Sequence, residues 1–206
     1  MQTGRNEVFG GHSANELRAW GLKSGEFFQR AANSDIQRYL IRPSGEYLLY
    51  LERYATFSSL PQSVQSYLRR HRAELEERAA FRRGDCEWWK YTWPLHSELY
   101  GRPWLLCPYL APFNRFALDA VQQYLGLTDT TVLFANDQPE DLRYLLALLN
   151  SKLLTFRFRS IGKLKSDGIL EYFWNSISKL PVRRIDLSDS TDKATYNQIL
   201  RLVDQI

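Results

Sequence analysis

Residues 142–154 read LRYLLALLNSKLL and form the most apolar stretch of the chain. Its leucines recur at intervals of three and four residues, a spacing that predicts a buried amphipathic helix; they are Leu142, Leu145, Leu146, Leu149, Leu153 and Leu154. Asn150, Ser151 and Lys152 interrupt the stretch, and a membrane-spanning helix needs about 20 apolar residues. The stretch therefore predicts a core helix and no membrane association.

The segments on either side of this stretch are polar. Asp137 is a suitable N-cap and Pro139 suits a first turn, so we expect the helix to begin there. Downstream, no acidic residue occurs between residues 152 and 166, and this basic segment includes Arg157, Arg159, Lys163 and Lys165. A polar turn over residues 188–192 precedes a final helix, predicted from the spacing of Tyr196, Ile199, Leu200 and Val203.

Most strand signals lie in the first 136 residues. The candidate strands, rich in β-branched and aromatic residues, are Asn6–Phe9, Ile36–Ile41, Glu46–Glu52, Cys86–Trp93, Trp104–Tyr109 and Thr130–Ala135. We expect residues 42–45, Arg-Pro-Ser-Gly, to join the second and third strands as a hairpin. The sequence therefore predicts an α+β fold in a single domain over residues 1–206. Its region of mixed or antiparallel sheet covers residues 1–136, and its helical region covers residues 137–206.

One basic helix interrupts these strands. Pro61 can start it and Gly84 can end it. Its apolar stripe is predicted to consist of Val64, Tyr67, Leu68, Leu75 and Ala79. The opposite face carries charged residues that we expect to be exposed: Arg69, Arg70, Arg72, Glu74, Glu76, Glu77, Arg78, Arg82 and Arg83.

The charged residues and cysteines limit the class of protein. The formal net charge is +4, and 20 of the 27 basic residues are arginine. Arginine presents a planar fork of donors that suits phosphates and guanine edges, although a genome rich in arginine codons also accounts for the excess. Two cysteines, Cys86 and Cys107, are too few for a disulfide framework or a four-ligand zinc site. Residues 1–11 lack the apolar segment of a signal peptide, so we expect a cytoplasmic protein.

Residue patterns for catalysis are missing. His12, His71 and His96 are scattered and lack the spacing of metal ligands. The sequence contains no nucleophile elbow, phosphate-binding loop or glycine-rich dinucleotide turn. Asp85, Glu87 and Lys90 come nearest to a metal-dependent nuclease motif, but one residue too many separates the last two. We therefore expect no catalytic residue, metal or cofactor in these 206 residues.

Three segments have the character of a nucleic-acid interface. Thr3-Gly4-Arg5-Asn6 is a polar turn whose amides, hydroxyl and guanidinium can meet a phosphate. Arg38 can read a guanine edge while Tyr39 packs beside it. The basic segment from Lys152 to Lys165 can follow a phosphate backbone, with Lys163 and Lys165 as the candidate contacts.

The order of these segments resembles the TaqI-like specificity domain, the C-terminal target-recognition region of adenine-specific DNA methyltransferases and of Eco57I-type restriction-modification enzymes. Thr3–Phe9 resembles its Thr-Gly-x-Asn-x-x-Phe opening, and Asp35–Tyr39 resembles its Asp-Ile-x-Arg-Tyr element. The remaining landmarks are the helix from Pro61 to Arg78 with Leu75-Glu76-x-Arg78, the tryptophans Trp88 and Trp89, the strand from Pro103 to Pro108, Leu148-Leu149-Asn150-Ser151-Lys152-Leu153, and Leu180-Pro181-Val182. Ala32-Asn33-Ser34 stands where the family often has Lys-Gly-Lys.

This resemblance implies a non-catalytic domain, excised from a larger protein, that recognises double-stranded DNA. In that protein an N-terminal methyltransferase domain of the same chain would methylate adenine N6 with S-adenosylmethionine, with or without a fused restriction endonuclease. The resemblance places Thr3, Gly4, Arg5 and Asn6 near DNA phosphates, Arg38 and Tyr39 at the recognised bases, and Lys163 and Lys165 on the backbone.

Two other classes of function stay open. A protein-interaction module of a prokaryotic phage-defence system would use exposed aromatic residues rather than arginines. A metal-dependent nuclease would cleave DNA with magnesium and depend on Glu87. Salt dependence separates the recognition domain from the interaction module, since a steep fall in DNA affinity with salt fits the first and no binding at low salt fits the second.

Overall fold

Short helices and short strands make up the computed structural model of the protein, which describes residues 1–94, 102–134 and 141–206. The helices are α1 (Asn6–Phe9), α2 (Ala14–Ala19), α3 (Gln62–Arg70), α4 (Arg72–Glu76), α5 (Ala79–Arg82), α6 (Leu142–Asn150), α7 (Lys152–Ile161), α8 (Trp174–Ile177) and α9 (Ser190–Asp204). The strands are β1 (Phe27–Arg30), β2 (Tyr47–Leu49), β3 (Trp104–Pro108), β4 (Leu110–Ala111), β5 (Ala117–Asp119), β6 (Tyr124–Leu125), β7 (Thr130–Phe134), β8 (Lys163–Ser166) and β9 (Ile169–Glu171). The predicted α+β class is confirmed.

The chain folds into two compact units whose segments alternate along the sequence. The first unit comprises Met1–Ala31, Pro43–Tyr100 and Gln123–Thr128. The second comprises Ala32–Arg42, Gly101–Gln122 and Asp129–Ile206. It stays a prediction that residues 1–206 act as a single recognition domain whose strand-rich part ends near residue 136.

The first unit contains a three-stranded sheet in the order β2-β1-β6. Strand β1 pairs antiparallel with β2, where Phe28 lies opposite Leu48, and parallel with β6, where Gln29 lies opposite Tyr124. The strand expected within residues 46–52 is therefore present as the shorter β2, whereas β1 was not predicted.

Residues 36–41 form a tight turn, so the strand predicted there is wrong. Gln37 N donates to Leu40 O at 2.9 Å, and a single antiparallel bridge joins Ile36 to Ile41. Tyr39 has a φ of +71°, a left-handed conformation that a strand does not accommodate. The expected hairpin through residues 42–45 is also wrong, because the antiparallel partner of β2 is β1.

Residues 6–9 form helix α1 and not the predicted strand. The hydroxyl of Thr3 accepts a hydrogen bond from Arg5 N at 3.1 Å and donates to Asn6 Oδ1 at 2.6 Å, which sets up a helical turn. Gly10 N then donates to Asn6 O at 2.8 Å. The adjacent residues Val8 and Phe9 are both fully buried. A strand would direct them to opposite faces, whereas a helical turn allows both to reach one core.

The basic helix begins and ends near the predicted residues but consists of three segments. Pro61 is the N-cap of α3, and Gly84, with a φ of +79°, follows α5. Val64, Leu68 and Leu75 are fully buried, as the apolar stripe predicts. Ala79 is exposed, so that part of the stripe is wrong. The chain leaves helical geometry at Arg78, whose φ of −60° and ψ of 132° precede α5.

Arg78 is buried, which contradicts its expected place on the exposed face. Its side chain is 4% exposed and donates hydrogen bonds to five backbone carbonyls. The acceptors and distances are Leu75 O (2.9 Å), Thr3 O (2.6 Å), Lys90 O (2.8 Å), Glu87 O (3.3 Å) and Trp88 O (2.7 Å). Burial lowers the pKa of this guanidinium. An arginine side chain has five N–H donors, so this arrangement uses the whole fork.

The Arg78 network explains why residues 86–93 are not the predicted strand. The carbonyls of Glu87, Trp88 and Lys90 converge on one guanidinium, whereas carbonyls in a strand alternate in direction. The same network requires glycine at position 4. A Cβ there would lie 2.8 Å from Arg78 Cδ and 2.7 Å from Thr92 Cγ2, and the φ of Gly4 is +75°.

The second unit contains two three-stranded sheets, β5-β3-β7 and β4-β9-β8. Strand β3 lies between two antiparallel partners, with Leu105 opposite Leu118 of β5 and Leu133 of β7. The strands predicted at residues 104–109 and 130–135 are thus confirmed as β3 and β7, and Ala135 lies outside the described residues. Phe116, Phe158 and Tyr172 are among the fully buried residues of this unit.

The leucine-rich stretch forms two helices that meet at Ser151. Leu146, Leu149 and Leu154 are buried as predicted. Leu153 is 73% exposed, so its expected burial is wrong, because the break at Ser151 starts a new helical phase. Asp141 is the N-cap of α6 in the described chain. The predicted N-cap Asp137 and first-turn residue Pro139 lie outside the described residues.

The predicted C-terminal helix is confirmed as α9 and packs on α6. The rings of Tyr144 and Tyr196 lie 5.1 Å apart, and Asp141 N donates to the Tyr196 hydroxyl at 3.2 Å. Arg143 forms an ion pair with Asp204 at 2.8 Å. Within the described residues, no helix combines the length and apolar character needed to cross a membrane.

Arg78→Lys is expected to lower the free energy of unfolding by about 3 kcal/mol. A lysine ammonium has three donors and no planar fork, so at least two of the five hydrogen bonds from a charged donor are lost, at roughly 1.5–3 kcal/mol each. Urea denaturation monitored by tryptophan fluorescence measures the change. The matched control is Arg82→Lys, an exposed position on α5, where we expect a change below about 0.5 kcal/mol. Equal stability of the two variants would contradict the role given to Arg78.

Candidate functional site

The predicted phosphate-binding turn lies in the first unit and lines a cleft of about 320 Å³. The lining residues are Gln2, Thr3, Gly4, Arg5, Asn6, Glu7 and Thr128. Thr3 is fully buried, and its hydroxyl is engaged by Arg5 N and Asn6 Oδ1. Its carbonyl accepts from Arg78. The structure therefore brings the four predicted residues together. The polar groups of Thr3 contact other residues of the protein.

Arg5 is surrounded by carboxylates. Its guanidinium lies 3.2 Å from Glu74, 3.7 Å from Glu77 and 3.9 Å from Glu7. Carboxylates this close offset the positive charge that would attract a phosphate. Contact of Thr3, Gly4, Arg5 and Asn6 with DNA stays a prediction.

Arg38 and Tyr39 lie on the tight turn of the second unit. Tyr39 N donates to Phe116 O at 2.8 Å, which ties the left-handed residue to the core. Arg38 is exposed, and its Nε donates to Asn114 O at 3.2 Å. Its guanidinium carbon lies 5.4 Å from the centre of the Phe113 ring, a cation–π contact. The Arg38 guanidinium is thus anchored through its Nε and against the Phe113 ring.

Two buried asparagines hold the loop against which this turn rests. Asn150 Oδ1 accepts from Phe116 N, and its Nδ2 donates to Phe116 O, both at 2.9 Å. Asn114 Nδ2 donates to Leu149 O at 2.6 Å, and its Oδ1 accepts from the Tyr172 hydroxyl at 3.0 Å. Asn150 is 3% exposed and Asn114 is fully buried. Three of these hydrogen bonds join residues 114–116 to helix α6, and the fourth joins Asn114 to Tyr172.

Arg38 contributes to a basic and aromatic cleft of about 470 Å³. The lining residues are Arg38, Phe113, Lys152, Thr155, Phe156 and Arg159. Four of them recur on one face of α7, at positions i, i+3, i+4 and i+7. Within the described part of the chain, Lys152 and Arg159 form no ion pair, and no acidic residue is among those that line the cleft. The cleft therefore has a positive charge without a local counter-charge.

Lys163 and Lys165 lie on the exposed strand β8 and share one carboxylate. Their Nζ atoms lie 3.5 Å and 3.0 Å from Glu171, which β9 places beside them. Hydrogen bonds from the Tyr109 hydroxyl and from Lys165 hold the pKa of Glu171 below its usual range. Two lysines with one glutamate retain a net positive charge on this edge. The structure thus brings Lys163 and Lys165 together, but neither lines the cleft that contains Arg38.

Lys152 and Arg159 lie in the basic segment that was expected to follow a phosphate backbone, whereas no role was predicted for Phe113, Thr155 or Phe156. The i, i+4, i+7 spacing of Lys152, Phe156 and Arg159 was the available signal, since it places one aromatic ring between two cations on a helix. Phe113 had no local signal, because it joins the cleft only through tertiary packing.

The residues considered for a nuclease have other contacts. Glu87 accepts from Trp89 Nε1 at 2.5 Å, Asp85 pairs with Arg83 at 2.7 Å, and Lys90 Nζ lies 3.9 Å from Glu52. In the described residues no group of three or more His, Cys, Asp or Glu side chains is arranged to hold a metal ion. The candidate histidine His96 lies outside that part of the chain.

The family model of the TaqI-like C-terminal specificity domain matches residues 33–182, about three quarters of the chain. The chain belongs to this family. The match includes Asp35–Tyr39, the Leu75–Arg78 segment and Leu148–Leu153, whereas the Thr3–Phe9 opening lies before it. No curated protein is similar enough in sequence to give a match.

A solved structure has a similar fold. It is the type IIL restriction-modification enzyme MmeI in complex with DNA, and the comparison gives a TM-score of 0.70 at 12% sequence identity. The aligned region covers 98% of this specificity domain and 26% of the MmeI chain. The specificity domain therefore spans about a quarter of the length of that protein, and the likeness is one of fold.

Asn150→Asp is expected to lower the free energy of unfolding of the specificity domain by about 3 kcal/mol. The substitution keeps the shape of the side chain but replaces the donor to Phe116 O with an acceptor, and it buries a charge. Chemical denaturation at pH 7 gives the difference. Asn175→Asp, at an exposed position of α8, is the matched control and should change stability by less than about 0.5 kcal/mol. A similarly small effect at position 150 would show that the two hydrogen bonds between Asn150 and the Phe116 backbone are dispensable for stability.

Proposed function

We propose that this specificity domain recognises a target sequence in double-stranded DNA for a restriction-modification enzyme. The observation that carries the proposal is membership of the specificity-domain family over residues 33–182. The likeness in fold to an enzyme of that class in complex with DNA supports it. The uncompensated positive charge of the cleft in the second unit supports it as well, because a DNA backbone attracts such surfaces.

We assign base recognition to Arg38, with Tyr39 as the residue that positions it. Arg38 presents its outer nitrogens from a turn that Phe116 and Asn114 hold by hydrogen bonds. A guanidinium fork can donate two parallel hydrogen bonds to O6 and N7 of guanine. Because the base of the side chain is fixed, little rotamer entropy is lost when these bonds form.

We assign Lys163 and Lys165 to the phosphate backbone, together with the turn at Thr3, Gly4, Arg5 and Asn6. The two lysines keep a net positive charge beside Glu171 on an exposed strand. Arg5 is the least favourable of these residues for contact with a phosphate, since three carboxylates lie within 4 Å of its guanidinium.

The larger protein is proposed to methylate adenine N6 in the cytoplasm. The 206 residues contain no Asn-Pro-Pro-Tyr sequence and no glycine-rich adenosyl-binding turn, so they do not fit S-adenosylmethionine. We therefore assign this cofactor to an N-terminal methyltransferase domain of the same chain. Fusion to a restriction endonuclease is the second arrangement compatible with the family.

Arg38→Ala in the full restriction-modification enzyme is expected to lower the free-energy preference for the target sequence over other sequences by about 1–3 kcal/mol, because the hydrogen bonds to one base are lost. Methylation of a plasmid library, read by sequencing of modified sites, measures the change in preference at each base position. Arg157→Ala is the matched control, since Arg157 is exposed on α7 but does not line the cleft. Unchanged specificity in Arg38→Ala would remove Arg38 from base recognition.

Charge reversal at Lys163 and Lys165 is expected to weaken DNA binding to all sequences alike, because phosphate contacts carry no sequence information. The neutral pair Lys163→Gln and Lys165→Gln should reduce the slope of log K against log salt by about 2, one for each lost contact. Fluorescence anisotropy with target and scrambled duplexes measures both effects. Lys179→Glu with Lys193→Glu makes the same charge change at exposed positions elsewhere. A loss confined to the target sequence would contradict the backbone assignment.

A protein-interaction module is the second candidate function. Trp93 and Trp174 favour it, because they are 68% and 67% exposed, and large exposed aromatic residues are enriched at protein interfaces. The same salt titration separates the two functions. A steep fall in affinity with salt supports DNA recognition, whereas absence of DNA binding at low salt supports the interaction module.

A further inference from the structure

We propose that the cleft lined by Arg38, Phe113 and one face of α7 binds a single unpaired DNA nucleotide. This inference rests on the proposed function only in taking DNA as the ligand. It adds that this part of the domain holds a nucleotide that has left the base stack, in addition to contacts with paired DNA. The volume of the cleft, about 470 Å³, falls within the range of roughly 300–1,000 Å³ that is usual for small-ligand sites.

The charge of the cleft suits an anionic ligand. Lys152 and Arg159 stand seven residues apart on α7, and both are exposed. Neither forms an ion pair within the described part of the chain, and Arg38 provides a third cation on the facing turn. Three cations without a carboxylate suit a phosphodiester group, which brings negative charge and several acceptor oxygens.

The cleft also contains an aromatic ring between the cations. Phe156 is 74% exposed, although it lies between Lys152 and Arg159 on the same helical face. Phe113, 39% exposed, lies in the cleft wall and also carries the cation–π contact with Arg38. Phosphates alone give no reason for an exposed phenylalanine, whereas the flat face of a base stacks on such a ring.

Stacking on Phe156 requires a base whose flat face is accessible, and this decides whether the nucleotide is paired. In paired DNA the base faces are covered by neighbouring base pairs, and the grooves present only base edges. A base that stacks on a protein ring must therefore be unpaired or rotated out of the helix. In this arrangement Phe156 contacts the base face, Arg38 the base edge, and Lys152 with Arg159 the phosphate.

A buried hydroxyl at the cleft wall is a further sign of a polar ligand. Thr155 is 8% exposed, and its Oγ1 has no hydrogen-bond partner within the described part of the chain. An unsatisfied buried hydroxyl costs about 1–3 kcal/mol in general, so native proteins rarely leave one without a reason. Threonine in a helix has two accessible χ1 rotamers, and one of them can offer the hydroxyl to a ligand oxygen.

The test compares three fluorescently labelled DNA probes with the 206-residue chain: a paired duplex, the same duplex with one bulged nucleotide, and the single strand. Stacking of one base predicts that the bulged duplex binds about tenfold more tightly than the paired duplex. Phe156→Ala and Phe156→Leu should both abolish this preference, so that the bulged and paired duplexes bind each variant with equal affinity. Trp174→Ala, another exposed aromatic residue of the second unit, should preserve the preference.

The cations provide a second, independent readout. Arg159→Gln is expected to weaken binding of the bulged duplex and to lower its salt slope by about 1, whereas Arg157→Gln on the outer face of α7 should leave the slope unchanged. Both positions are exposed, so thermal melting of each variant should match that of the unsubstituted chain.

Two results would overturn the inference. One is equal affinity for bulged and paired duplexes, and the other is a preference that survives both Phe156 substitutions. If target-specific binding of the paired duplex persists in either case, the nucleotide cleft is wrong and the proposed function stands. If none of the three probes binds at low salt, the proposed function and this inference fail together.

Discussion

The guanidinium of Arg78 determines the course of the loops in the first unit, because it donates to five backbone carbonyls from residues 3, 75, 87, 88 and 90. The strands in the described residues are two to five residues long and satisfy few backbone groups by pairing. Buried backbone groups still need partners. In the second unit Asn150 meets the same need for both polar groups of Phe116. Single side chains thus take over a function that longer sheets usually perform.

The sequence predicted those elements whose signals are local. Pro61 and Gly84 marked the ends of the basic helix, and the apolar runs over residues 104–109 and 130–135 predicted β3 and β7. Helix α2 was missed although Ser13 and Glu16 form a capping box, a signal that the sequence displays. The local sequence pattern could not predict the burial of Arg78, because its partner Thr3 lies 75 residues away in the sequence. A charged residue in a basic helix is normally exposed, and only tertiary contacts reverse that expectation.

The residues of the candidate site were likewise only partly predictable from the sequence. Arg38 was identified from its motif, and the basic character of residues 152–165 was visible in the sequence. That Phe113 faces the same cleft as α7 depends on the contacts of residues 114–116 with Asn150 and Leu149, which no spacing encodes. The strand predicted around Arg38 was wrong because Tyr39 adopts a left-handed conformation that its hydrogen bond to Phe116 O stabilises.

The alternation of the two units along the chain limits how such a domain can be exchanged between proteins. The chain passes from one unit to the other after residues 31, 42, 100, 122 and 128. A recombination event with one breakpoint between residues 32 and 128 therefore divides both units, and a breakpoint elsewhere within the chain still divides one of them. Only breakpoints outside the folded region move a complete set of contacts. New specificities are thus expected to arise by substitution of individual residues or by transfer of the entire domain, and not by shuffling of its halves.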